Sequence, residues 1–204
     1  MATDDRPHPL SSRRQLLTVG SVGFASAFAG CAGIRSQTVA QPETRDEDTG
    51  THLLYSDGDD RLAEISLLEQ WATEPVRSPY TIRFNASHTD DTQLKQLRYE
   101  LHPLDGGQPP EFALVRPDGI PWKPIEFSSG DDSDTTVLNI PDLGRHGRGS
   151  ATLDFLVQPR TDAAFDLRVS VEATLESAGI LGLDQTSHLE GELVRTLPGT
   201  DRVE

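Results

Sequence analysis

Phe165-Asp166-Leu167-Arg168-Val169-Ser170-Val171-Glu172-Ala173-Thr174-Leu175-Glu176 alternates apolar and polar residues without a break. Successive side chains of an extended strand point to opposite faces, so every apolar residue here falls on one face and every polar one on the other. On a helix the same residues would be spread round the whole cylinder. The stretch reads as a strand with one buried face. Working outward, the period of two recurs at Tyr80, Ile82, Phe84 and Ala86, at Leu97, Tyr99 and Leu101, and at Phe112 and Leu114. It returns at Ala151, Leu153, Phe155 and Val157, and at Leu189, Gly191, Leu193 and Arg195. Turn signals lie between these runs, at His88–Asp91, Pro103–Pro110, Pro117–Pro121, Ser128–Ser133, Gly144–Gly149, Pro159–Ala163 and Ala178–Asp184. Asp60–Trp71 stays open between a helix and a strand over Glu64–Gln70. No long helical pattern intervenes from Tyr80 onward, so a parallel α/β sheet is not expected. The expectation is an all-β antiparallel β-sandwich of about seven to nine strands over residues 51–198, with a tail at 199–204.

Val137-Leu138-Asn139-Ile140-Pro141-Asp142-Leu143-Gly144, followed by Gly149-Ser150-Ala151-Thr152-Leu153, resembles the strand–Pro–Leu–Gly–strand crossing of extracellular immunoglobulin-like and adhesion-type modules. The resemblance implies an immunoglobulin-like sandwich whose chain changes sheet at this point. The antibody-type disulfide core is excluded, because Cys31 is the only cysteine.

The N-terminus reads differently. Ser12-Arg13-Arg14-Gln15-Leu16-Leu17 precedes an uncharged stretch rich in Gly, Ala and Ser that is too short and too weakly apolar to span a bilayer. Arg13 and Arg14 in this setting resemble a twin-arginine export signal, which implies export of a folded protein. Phe28-Ala29-Gly30-Cys31 resembles a lipobox, with Phe28 where Leu is usual. That likeness implies lipidation of Cys31 through a thioether, removal of the residues before it, and a membrane lipid as partner. Residues 1–31 are therefore expected to be a signal peptide. Residues 32–50, rich in Gln, Thr, Glu, Asp and Arg, are expected to be a flexible tether.

Composition narrows the partners. The 204 residues carry 18 Lys+Arg against 33 Asp+Glu, a formal charge of −15. Such a surface does not displace counterions from a nucleic-acid backbone, so no nucleic-acid partner is expected. Only Lys95 and Lys123 are lysines. The acidic, lysine-poor balance resembles that of haloarchaeal proteins, whose self-repulsion molar salt screens.

The chain carries no nucleophile elbow, His-Glu-x-x-His, Cys-x-x-Cys, P-loop or dinucleotide fingerprint. His52, His88, His102, His146 and His188 lack ligand spacing, so no metal is expected at them. Asp57-Gly58-Asp59-Asp60 and Gly130-Asp131-Asp132-Ser133-Asp134 offer oxygen ligands suited to Ca²⁺, but neither has EF-hand spacing and both read as solvated acidic loops. Gly144-Arg145-His146-Gly147-Arg148-Gly149 reads as a turn whose arginines pair with nearby acids rather than as an anion grip. Trp71 and Trp122 read as core caps rather than stacking platforms. Asn85-Ala86-Ser87 fits a glycosylation acceptor. The functional expectation is an exported, lipid-anchored binding or structural module on the extracytoplasmic face of the membrane, non-catalytic and without a cofactor, with a cell-surface protein or glycan as its partner. The alternative is an extracytoplasmic enzyme or ligand-binding component with a dispersed site.

Overall fold

The computed structural model describes residues 35–70, 78–104, 108–118, 125–130, 134–143, 149–178 and 184–200. Arg13, Arg14, Cys31, Trp71, Trp122, Asp131, Asp132 and the Arg145–Arg148 loop lie outside them. The strands are β1 (Arg35–Val39), β2 (Glu43–Glu47), β3 (Gly50–Asp57), β4 (Asp60–Glu69), β5 (Tyr80–His88) and β6 (Thr92–Pro103). They continue as β7 (Glu111–Asp118), β8 (Glu126–Ser129), β9 (Thr136–Ile140), β10 (Ala151–Gln158), β11 (Phe165–Ala178) and β12 (Asp184–Leu197). One sheet runs β1-β12-β11-β6-β9-β8 and the other β2-β3-β4-β5-β10-β7. The fold is an all-β sandwich of two six-stranded sheets. β9 and β10 belong to different sheets, so the chain does change sheet after the Pro141–Leu143 segment.

Alternation places the core where the period of two predicts. Phe165, Leu167, Val169, Val171, Ala173 and Leu175 are all buried, as are Ile82, Phe84, Leu153, Phe155 and Val157 from the opposite sheet. Phe84 joins the layers. Its ring lies 4.7 Å from that of Tyr99 in the other sheet and meets Phe155 edge-on at 5.4 Å, both favourable aromatic geometries.

Arg195 stands on the inward row of β12 and reaches the other sheet. Its Nε donates to Glu69 Oε1 at 2.6 Å and its Nη2 to the Asp48 carbonyl at 2.9 Å. Both side chains are largely buried, at 19% and 14% exposure. A paired charge is tolerable at that depth where a lone one is not. Nearby, the Tyr80 hydroxyl donates to the Pro198 carbonyl at 2.7 Å. Burial, and secondarily the Glu69 charge, push that hydroxyl well above its ordinary pKa, so it stays a donor.

Three expectations are corrected. There are twelve strands among the described residues, not seven to nine. Asp60–Glu69 is a strand, which settles the open segment. The expected tether at 32–50 contains β1 and β2. β2 exposes all five side chains, so backbone pairing with β3 holds it and no apolar alternation marks it. β1 pairs parallel with β12, the one exception to the antiparallel pattern among the described residues. β8 is also fully exposed, and Leu54 is buried on the outward row of β3, which blurs the alternation there. The region expected as a tail contains Thr200, whose amide donates to the Thr161 carbonyl at 2.8 Å.

Gly191 faces the core on β12. A Cβ there would lie 2.5 Å from the Tyr55 hydroxyl, 3.0 Å from Leu53 and 3.1 Å from Pro42. Gly191→Ala is expected to destabilise the domain by about 1–3 kcal/mol, and adding Tyr55→Phe should recover part of the loss. Urea unfolding of both variants checks this; equal stability of Gly191→Ala and wild type would refute the close approach.

Candidate functional site

The open face of the first sheet carries the outward residues of its long strands. Register sets them in rows. Thr38, His188, Thr174 and Gln96 follow one another across β1, β12, β11 and β6. Glu190, Glu172, Arg98 and Asn139 form the next row, from β12 to β9. Between the rows lies a shallow cleft of about 410 Å³. Thr174 Oγ1 donates to Gln96 Oε1 at 3.4 Å and lies 3.4 Å from His188 Nδ1. Arg98 pairs with Glu100 and stands 3.9 Å from Glu172, and Asn139 Nδ2 donates to Glu126 at 2.9 Å. Amides, hydroxyls, an imidazole and charges of both signs converge here, a set suited to hydrogen-bonding a polar ligand. Glu172 and Glu190 face each other directly across the β11–β12 pair, and like charges so placed repel.

A second cleft, of about 500 Å³, opens at one end of the sandwich. Asp57 and Asp60 from the β3–β4 hairpin, Asp91 and Thr92 from the β5–β6 turn, and Gln185 from β12 line it. The acidic Asp57–Asp60 segment singled out in the sequence thus meets the His88–Asp91 turn. No group of three metal-ligating side chains that could hold an ion occurs among the described residues.

The histidines are separate. His52 Nδ1 lies 2.6 Å from Glu64 Oε1 on the outer face of the second sheet, and His88 Nδ1 lies 2.8 Å from Thr92 Oγ1 at the acidic end. His102 Nδ1 lies 2.9 Å from Thr135 Oγ1. His188 alone enters the polar cleft, and His146 is outside the described residues. Asn85 stands on the outer row of β5, between Ser66 and Thr152. Thr152 Oγ1 donates to its Oδ1 at 3.1 Å, and the residue stands mid-strand. The polar rows were not recognised as a site in the sequence. Glu172 and Thr174 are visibly outward there, but their neighbours from β1, β6, β9 and β12 are assembled only by register.

Residues 36–199 match the family described as Domain of unknown function (DUF8121). The chain belongs to the DUF8121 family. No curated protein matches it. Among solved structures, the human F-spondin reeler domain shares 12% identity at a TM-score of 0.36, over 66% of this chain and 88% of that one. The seventh ScaB type I cohesin of Pseudobacteroides cellulosolvens shares 12% at 0.31, over 61% and 85%. A Fap1 fimbrial structure of Streptococcus parasanguinis shares 10% at 0.35, over 76% and 92%. At such identities the likeness is one of sandwich architecture.

Removing one of the facing charges should show as a salt-dependent gain. Glu190→Gln is expected to stabilise the domain in dilute buffer by about 0.2–1 kcal/mol, and the gain should vanish at about 1 M salt, where the Debye length is roughly 3 Å. Paired melts of variant and wild type at the two ionic strengths measure it; a gain that persists at molar salt would mean repulsion is not its source.

Proposed function

We propose that this DUF8121 protein is an exported, lipid-anchored module on the extracytoplasmic face of the membrane, with a non-catalytic binding role. The carrying observation is where the matched domain begins. β1 starts at Arg35, four positions after Cys31, and the family match starts at residue 36. Cleavage before Cys31 would leave the matched domain whole. An export signal is removed from the mature protein and so lies outside the domain it delivers. Lipidation at Cys31 supplies the anchor, with two long chains favouring stable attachment where one is marginal.

The binding surface in this reading is the polar cleft of Thr38, Gln96, Arg98, Glu172, Thr174 and His188, and a glycan or a polar protein segment is its ligand class. Rows of donors and acceptors on a rigid sheet can meet a polyhydroxylated or peptide-like partner without rearrangement.

Cys31→Ser is expected to shift the protein from the membrane fraction to the medium, or to leave it as unprocessed precursor. Detergent-phase partitioning with intact-mass measurement reads both outcomes. A Cys31→Ser chain that stays with membranes as wild type does would exclude the anchor.

The acidic, lysine-poor surface supports a high-salt habitat as part of the same proposal. The melting temperature is expected to rise by about 5 °C or more between dilute and molar salt, roughly 2 kcal/mol of relieved repulsion for a domain this size. A flat dependence would exclude halophilic adaptation.

A further inference from the structure

We infer that the acidic end of the sandwich, formed by Asp57, Asp59, Asp60, Asp90, Asp91 and Asp184, faces the lipid surface, and that the opposite end and the β7–β8 edge face outward. The inference rests on the anchor at Cys31 and adds an orientation that the anchor alone does not give.

The length of the leash comes first. Only Ala32, Gly33 and Ile34 stand between Cys31 and β1. Four residue steps span about 14 Å at full extension. The 19-residue tether expected from composition would have let the domain tumble freely; this leash does not.

The direction of β1 then chooses the end. β1 is parallel to β12, with Arg35 opposite Gln185 and Val39 opposite Leu189. Its first residue therefore sits at the end where β12 begins. Were the pairing reversed, the leash would leave from midway along β12. The same end holds Ser177 near the close of β11 and Thr92 at the start of β6. From the other sheet it holds the β3–β4 hairpin tip, as the shared lining of the end cleft shows. All six aspartates there are exposed.

The positions of the exposed apolar residues agree. The large ones among the described residues are Leu104, Val115, Phe127 and Val194. Leu104 follows β6, at the far end. Val115 and Phe127 lie on β7 and β8, the edge strands farthest from β1 and β2. Val194 is near the far end of β12. None of these described residues is at the leash. The side next to the leash offers β2, whose exposed Glu43, Asp46 and Glu47 give lipid nothing apolar to hold. β11 has 14 residues, about 45 Å at the strand rise, which separates the two ends well beyond the reach of the leash.

The experiment uses the full lipidated chain, purified from membranes and reconstituted in phosphatidylcholine vesicles carrying a headgroup nitroxide. A fluorophore is attached through Asp59→Cys at the acidic end or Ala163→Cys at the far end. Partitioning is read first: wild type that fails to enter the detergent phase overturns the anchor, and the orientation with it. With anchoring present, Asp59→Cys should be quenched several-fold more than Ala163→Cys. A long Gly-Ser insertion between Ile34 and Arg35 should abolish most of that difference. Equal quenching at the two sites, or stronger quenching at Ala163→Cys, overturns the orientation and leaves the anchor intact.

Discussion

The structure depends on the burial of two inner faces against each other at Phe84. That ring belongs to β5, stacks towards Tyr99 of the opposite sheet and receives Phe155 edge-on. Neither sheet could stand alone, since each presents a continuous apolar face that only the other covers. With a 35% hydrophobic fraction, the chain has little apolar surface to spare, and it concentrates that surface on alternating positions of long strands. β11 and β12, at 14 residues each, form the backbone of the first sheet, and the outer polar rows inherit their spacing from the packing beneath.

Much of this was legible in the sequence, and the reason is physical. Where a strand has one buried face and one wet face, burial writes itself as alternation. β5, β6, β10, β11 and β12 could be read in this way, and so could the inward position of Arg195. Strands that bury no side chain leave no such mark. β2 and β8 expose every side chain, so a composition that looks like a linker folds as an edge. β3 hides its period differently: Thr51, Leu53 and Tyr55 face the core while Leu54 is covered from outside. The polar cleft was illegible because register, not sequence proximity, joins Thr38 to Gln96 and Glu172 to Arg98.

Charge is distributed with the same economy. Inside, the Glu69–Arg195 pair ties the sheets while leaving neither charge alone. Outside, the excess acids are tolerated at a local cost, most plainly where Glu172 meets Glu190 across a ladder. That cost falls as ionic strength rises, whereas the burial of Phe84 and its neighbours does not depend on screening in this way. One sandwich thus combines a core that does not rest on charge screening with an exterior tuned by it.

The parallel alignment of β1 with β12 has a mechanical side. A pull on residue 35, directed out of the end at which β12 starts, runs along the strand axis. The evenly spaced, slanted hydrogen bonds of a parallel pair then share the load together instead of opening one after another from a free tip. A short edge strand so placed resists traction in shear, the mode in which a ladder is hardest to peel.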